Sequence, residues 1–259
     1  MSTSARNRWP ERLVGAVTLL FLLVLLESLV RAGFVNAVIV PPPTVVASKL
    51  VSIVSGRAFM EPLLQTLRLL FIAYAIGCLL GVSLGLLMGR FPWIQGLLEP
   101  LVEFLRPLPK PALLPPLILF LGLGDAMKLT VISLGVFFPV LINTVQGVRG
   151  TEPVLLDAAR TFGHGRVSQM FKVTLPSALP LVFAGMRVSL GLALVLVVIA
   201  EMLAGTGGVG FLIIDMQRSF RIPDMYAWIV ILAVLGYLLN SLFLHLEHRA
   251  IHWSFTERD

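Results

Sequence analysis

Reactive side chains are scarce in this chain, and their spacing limits the chemistry open to it. Histidine occurs at His164, His245, His248 and His252, and cysteine only at Cys78. A lone cysteine inside an apolar run excludes an intrachain disulfide and a cysteine metal site. His248 and His252 stand four positions apart, which would set two imidazoles on one helical face. A zinc site needs a third ligand, and none stands near them. They read instead as residues of the membrane interface. The glycine cluster Gly205-Thr206-Gly207-Gly208-Val209-Gly210 runs on into Phe211 and Leu212. A phosphate-cradling loop ends in a lysine and a hydroxyl residue, so this cluster binds no nucleotide. It reads as a flexible turn leading into a surface helix over Phe211 to Phe220. No Ser-His-Asp set and no paired carboxylates stand out, so no catalytic residue, metal or cofactor is assigned to the chain itself.

The remaining chemistry lies in polar side chains embedded in apolar runs: Arg68, Glu99, Glu103, Arg106, Lys110, Asn143, Arg187 and Glu201. A charge at bilayer depth is costly and faces a cavity or a partner. Glu103 and Arg106 have the spacing of a neutralising helical pair. Arg68 and Arg187 have no local acid, so they either pair across helices with Glu99 or Glu201 or lend positive potential to a pathway. Structural pairing is favoured over direct contact with a solute, because ionisable groups inside apolar runs pair with one another or face a cavity. Arg68, Arg106, Asn143, Arg187 and Glu201 are therefore the candidates for a translocation path.

The elements that position these groups follow from composition. Of 259 residues, 57% are hydrophobic and 13% charged, with a mean hydropathy of +0.93. A soluble domain carries roughly a quarter charged residues, so this is an all-α integral membrane chain. The net charge of +6 is scattered between apolar runs, which excludes a nucleic-acid surface and suits the cytoplasmic leaflet. A bilayer core takes roughly 20 apolar residues in helical form. Such runs cover about Leu13 to Val30, Leu63 to Met88, Met127 to Val145, Ala178 to Leu203 and Met225 to Leu246. A further crossing, Trp93 to Gly124, contains Pro100, Pro107, Pro109, Pro111, Pro115 and Pro116. Each interior proline removes a helical hydrogen bond, so this helix should be interrupted between about Arg106 and Pro116, beside the path. Six transmembrane helices are expected, the first an uncleaved anchor because its apolar core exceeds that of a signal peptide.

Basic residues orient the chain, since short basic loops stay in the cytoplasm. With the N-terminus inside, ten fall on the cytoplasmic side (Arg6, Arg8, Arg12, Arg90, Arg149, Arg160, Arg166, Lys172, Arg249 and Arg258) and six outside (Arg31, Lys49, Arg57, Lys128, Arg218 and Arg221). Both termini and the segment 148–176 are then cytoplasmic. In that segment Thr151 is suited to cap a helix, Glu152 complements its positive end and Pro153 fits the first turn. Val154, Leu155, Ala158, Ala159 and Phe162 recur on one face, and Gly163 and Gly165 stop the helix. A second short turn is expected from Arg166 to Lys172 before Leu175-Pro176 opens the next crossing. From periodicity alone, the helix either packs on its own bundle or docks another protein.

Asp157-Ala158-Ala159, three residues, Gly163, nine residues, then Val173-Thr174-Leu175-Pro176 resembles the loop motif of permease subunits in bacterial binding-protein-dependent ABC importers. Two positions depart from it: Asp157 replaces the usual glutamate and Val173 the usual isoleucine. Leu105-Arg106-Pro107-Leu108-Pro109, Leu113-Leu114-Pro115, Phe137 to Thr144, Gly185-Met186-Arg187 and Ala200-Glu201-Met202 resemble the nitrate/sulfonate/taurine/bicarbonate branch. The resemblance runs from about Glu61 to the C-terminus. It implies a six-helix type I importer permease fold, in which 1–60 holds the first, anchor helix and an external segment and 61–259 is the importer transmembrane domain. It further implies a cytoplasmic coupling helix, with Asp157, Ala158, Ala159, Gly163, Leu175 and Pro176 as its ATPase-coupling residues. The implied partners are two ABC ATPase subunits that hold the ATP and Mg, a second copy of the permease and an external solute-binding protein, in a bacterial inner membrane. The cargo expected is a small oxyanion or organic sulfonate. A self-sufficient secondary transporter or channel is the alternative, and only the importer accounts for the full loop motif.

Overall fold

The computed structural model describes residues 9–252. Arg6, Arg8 and Arg258, used in the charge-bias reading, lie outside them. The described residues form helices joined by short turns: α1 (Trp9–Arg31), α2 (Pro43–Val54), α3 (Met60–Arg90), α4 (Pro92–Leu105), a 3₁₀ turn (Lys110–Leu113), α5 (Leu114–Leu121), α6 (Asp125–Arg149), α7 (Pro153–Thr161), α8 (Arg166–Gln169), α9 (Leu175–Ala204), α10 (Val209–Arg218) and α11 (Ile222–Ala250). Among the described residues five helices are long and apolar enough to cross a membrane, and α4 together with the 3₁₀ turn and α5 passes the same test as a pair bent by 91°, which brings the count to six where the pair is one span. The proline-bearing crossing is thus broken between Leu105 and Leu114, as the prolines require.

Contacts divide the chain into two units. One holds the residues up to Phe59 with Ile213–Ile231. In it Glu27 of α1 accepts hydrogen bonds from the Thr44 amide at 3.0 Å and the Thr44 hydroxyl at 2.7 Å, which tie α1 to the first turn of α2. Asp224 sits 3.3 Å from Arg221 and 3.9 Å from Lys49, and Phe59 stacks on Trp228 with ring centroids 5.9 Å apart. Only 6% of the apolar window of α1 is buried, as suits a helix that is apolar all round.

The other unit holds Met60–Leu212 and the chain from Leu232 onward. Its centre is α6, buried over 61% of its window, between α3 and α9. Lipid gives helices no hydrophobic reason to associate, so close van der Waals packing must hold them. The chain meets this with a four-residue repeat on both sides of one seam. Gly77, Gly81, Gly85 and Gly89 of α3 lie against Val136, Val140, Thr144 and Val148 of α6. A Cβ at Gly77, Gly85 or Gly89 would stand 2.6 Å from the facing Cβ. Both helices present i, i+4 rows, so these ridges interdigitate along their length. Buried hydroxyls close the remaining polar gaps: Ser133 donates to the Ala73 carbonyl, Ser189 to the Val136 carbonyl and Tyr74 to the Met186 carbonyl.

Two boundaries differ from the sequence expectation. The turn after α7 is continuous with the next crossing: α8 passes through a π turn at Met170–Thr174 directly into α9. The helix after the glycine cluster begins earlier, at Val209, and ends at Arg218. Phe220 takes the left-handed position that closes it, with φ of 56°.

Candidate functional site

At the end of α6 the chain turns once and α7 begins. Glu152, not Thr151, occupies the N-cap, with Pro153 as first helical residue. The Thr151 hydroxyl is buried without a hydrogen-bond partner among the described residues. The helix ends as expected at Gly163, whose φ of +77° is the left-handed conformation glycine tolerates. The Gly163 amide donates to the Arg160 carbonyl at 2.9 Å and the His164 amide to the Ala159 carbonyl at 3.0 Å, the two bonds of a Schellman closure. Gln169 then clamps the turn by donating to the His164 carbonyl at 2.7 Å. The residues of one apolar face do not share one fate. Ala159 is 5% exposed and lines a groove with half-buried Pro176, while Ala158 is exposed, as are Val154 at 74% and Phe162 at 81%. Asp157 is also exposed and paired with Arg160 at 2.8 Å, and Leu175 is half-buried. The loop therefore folds on its own bundle through Ala159 and shows an unpartnered apolar edge on the other side.

The broken crossing opens a cavity of about 540 Å³ bounded by Arg106, Lys110, Phe138, Asn143 and apolar residues of α9. Where α4 stops, its last carbonyls face segments rich in prolines, which have no N–H to give. Lys110 supplies the missing donors. Its Nζ bonds the carbonyls of Leu105 at 3.0 Å, Arg106 at 3.2 Å and Leu108 at 3.0 Å, and lies 4.4 Å from the centroid of Phe138. Asn143 spends one donor within its own helix, on the Pro139 carbonyl at 2.8 Å. The arrangement gives a mainly apolar cavity wall that carries the Arg106 guanidinium and the Asn143 amide, which spends one donor on Pro139.

Glu201, fully buried near the end of α9, is the centre of a second cluster. The Thr66 hydroxyl lies 2.9 Å from both of its carboxylate oxygens, and the Gly210 amide donates to Oε2 at 2.9 Å. The Thr66 oxygen in turn accepts the Val209 amide at 2.9 Å. Two of the free N–H groups that open α10 are thus satisfied by side chains of α3 and α9, a cap supplied from elsewhere in the fold. Gly208, with φ of +91°, stands so close to the Glu201 carboxylate that a side chain would collide with it. The glycine cluster is therefore a fastened turn and not a flexible one.

The five path candidates do not share one place. Arg106 and Asn143 line the cavity of the broken crossing, and Arg68 and Glu201 line a pocket at the other end of α3 and α9. Arg187 pairs with neither Glu99 nor Glu201: its Nη1 lies 3.6 Å from Glu247 of α11, whose side chain is 6% exposed. Glu103 and Arg106 make no ion pair among the described residues, and Glu99 accepts its hydrogen bonds from Gln95 at 2.9 Å. Sequence reasoning missed Thr66, whose hydroxyl has no distinguishing pattern, and Glu247, a lone acid in the apolar run Tyr237 to Leu246 and its flank. It also missed the glycines of α3, although their spacing of four was in plain view.

Comparison with known proteins identifies the family and the fold. Residues 77–252 match the family of binding-protein-dependent transport system inner membrane components. The taurine transport system permease protein TauC of Escherichia coli (strain K12) is 30% identical over 254 residues, covering 95% of this chain and 92% of the relative. The putative aliphatic sulfonates transport permease protein SsuC of Bacillus subtilis (strain 168) is 35% identical over 222 residues, covering 85% and 80%. Among solved structures, the inward-facing MetNI methionine ABC transporter superposes with a TM-score of 0.63 at 21% identity, over 73% of this chain and 94% of that one, which supports the fold. The chain belongs to the inner membrane components of binding-protein-dependent transport systems and is the membrane-spanning permease subunit of an ABC importer.

Proposed function

We propose that two copies of this chain form the path for a small organic sulfonate or similar oxyanion, delivered by an external binding protein and driven by two separate ATPase subunits that bind the ATP and Mg. The observation that carries the coupling half of this reading is α7, closed by a Schellman turn and anchored through Ala159, with Val154, Ala158 and Phe162 exposed. A water-facing helix edge of that kind suits a cleft in another protein. The sulfonate half rests on the taurine and sulfonate names of the relatives and on Arg106, which places a guanidinium beside a mainly apolar cavity. Both termini and α7 lie on the cytoplasmic side, in the orientation that basic residues favour.

The test is reconstitution in proteoliposomes with the ATPase and binding protein. Binding protein loaded with taurine or ethanesulfonate should stimulate ATP hydrolysis, and Ala158→Glu should abolish co-purification of the ATPase by burying an unpaired charge at the contact. Wild-type recruitment and stimulation in Ala158→Glu would remove α7 from the coupling role. Orientation is read from His164→Cys, since the native Cys78 is buried and contributes little background. Labelling of position 164 by an impermeant reagent added outside intact cells contradicts a cytoplasmic loop.

A further inference from the structure

We propose that the polar pocket at the end of the α3, α6 and α9 bundle remote from α7 is an oxyanion subsite, with Lys128 and Arg68 as its cationic receptors. This deepens the importer reading and rests on it. The pocket has a volume of about 260 Å³ and is walled by Gln65 and Arg68 of α3, Asp125 and Lys128 of α6, and Glu201 of α9 with the turn that follows it. Because α6 runs from Asp125 to the residue before the α7 loop, its 25 residues set the pocket roughly 36 Å from that loop. In the proposed orientation this is the external end, where cargo arrives.

Unspent donors carry the argument. The Lys128 side chain is only 7% exposed, yet its ammonium makes no hydrogen bond among the described residues. Its one ion pair, to Asp125, is 3.9 Å long, and the Asp125 side chain is 63% exposed. Lys128 lines the pocket, and its ammonium carries three donors that no hydrogen bond among the described residues takes up. Arg68 lines the same space and makes no ion pair or hydrogen bond among the described residues. The acid that could answer them, Glu201, already accepts from the Thr66 hydroxyl and the Gly210 amide. Cations with free donors beside a carboxylate already engaged fit an acceptor-rich anion, and a sulfonate brings three oxygens for charge-assisted bonds. The same chemistry describes an anionic lipid headgroup, which the experiment separates from a solute.

The permease with its ATPase is placed in phosphatidylcholine nanodiscs and titrated with ethanesulfonate, with neutral ethanesulfonamide as control. Ethanesulfonate should bind and the sulfonamide should not. Lys128→Met should weaken binding by about tenfold or more, the loss of one charged hydrogen bond, while Lys128→Arg retains it. Arg68→Gln should weaken it several-fold. Lys128→Met removes a charge whose one ion pair is 3.9 Å long and made to an exposed carboxylate, so its thermal midpoint without ligand should stay near that of the wild type, which separates lost binding from unfolding. No binding at millimolar ethanesulfonate, or equal binding by wild type and Lys128→Met, overturns the proposal. Competitive loss of ethanesulfonate binding on replacing phosphatidylcholine with phosphatidylglycerol overturns the solute as occupant. ATP hydrolysis stimulated by binding protein is measured on the same nanodiscs. If stimulation is present but sulfonate binding is absent, only the subsite fails; if the wild type shows no stimulation, the importer reading fails.

Discussion

The seam between α3 and α6 can be tested by exchanging its two sides. At Gly89 the nearest atoms to an added Cβ are all from the Val148 side chain: Cβ at 2.6 Å, Cγ1 at 2.7 Å and Cγ2 at 3.3 Å. Carbon atoms rest at about 3.5–4.0 Å, so Gly89→Ala is short of space by about 1 Å. The helices must part or rotate by that amount, which strips dispersion contacts from the neighbouring rungs. Overpacking of this kind costs about 1–3 kcal/mol. Val148→Gly alone should also destabilise, through lost packing and a helical glycine penalty of about 1 kcal/mol. The double variant Gly89→Ala with Val148→Gly removes the clash, so it should be more stable than the sum of the two singles by about 1–3 kcal/mol. Gly77 provides the contrast. A Cβ there meets the Ser133 carbonyl at 2.8 Å as well as Val136, and backbone cannot be trimmed, so Val136→Gly should not rescue Gly77→Ala. Reversible unfolding of the purified permease in mixed detergent micelles, followed by ellipticity, gives the four free energies of each cycle. A silent Gly89→Ala, or additivity within about 0.5 kcal/mol at the Gly89 pair, would refute close contact as the source of α3–α6 association.

Three further outcomes are expected. Ala159→Glu buries its charge inside the loop's own fold, so proteolysis at 150–165 should quicken in the isolated permease, unlike Ala158→Glu, which should leave it unchanged. Glu201→Ala strips the acceptor from the Gly210 amide and the Thr66 hydroxyl, costing about 1–3 kcal/mol and speeding hydrogen exchange at 209–212, whereas Glu201→Gln keeps an acceptor and should lose less. Lys110→Met removes the ammonium from the carbonyls of Leu105, Arg106 and Leu108, of which Leu105 keeps the Leu108 amide at 3.3 Å, and should lower stability by about 1–3 kcal/mol, with Lys110→Arg partly restoring it in a thermal assay.

Residue types and spacing alone determined the membrane class, the five unbroken apolar spans, the break in the proline-bearing one and the place of α7 in the chain. These are properties of local chemistry: apolar length against bilayer thickness, prolines that cannot complete a helix, and a glycine required at a left-handed turn. The same information listed the intramembrane charges but not their partners. Which carboxylate meets Arg187, or which amides meet Glu201, depends on how separate helices are rotated and shifted against one another. That register is set by the glycine seam and the packing around it, where contacts join residues far apart in the chain. Lys110 shows the difference most directly. Its sequence marks it only as a charge among prolines, whereas the fold turns the chain by 91° so that its ammonium reaches three carbonyls at the break. Tertiary structure also divided the apolar face of α7, burying Ala159 against its own bundle and leaving Ala158 exposed, because one short helix can press only one edge on its support.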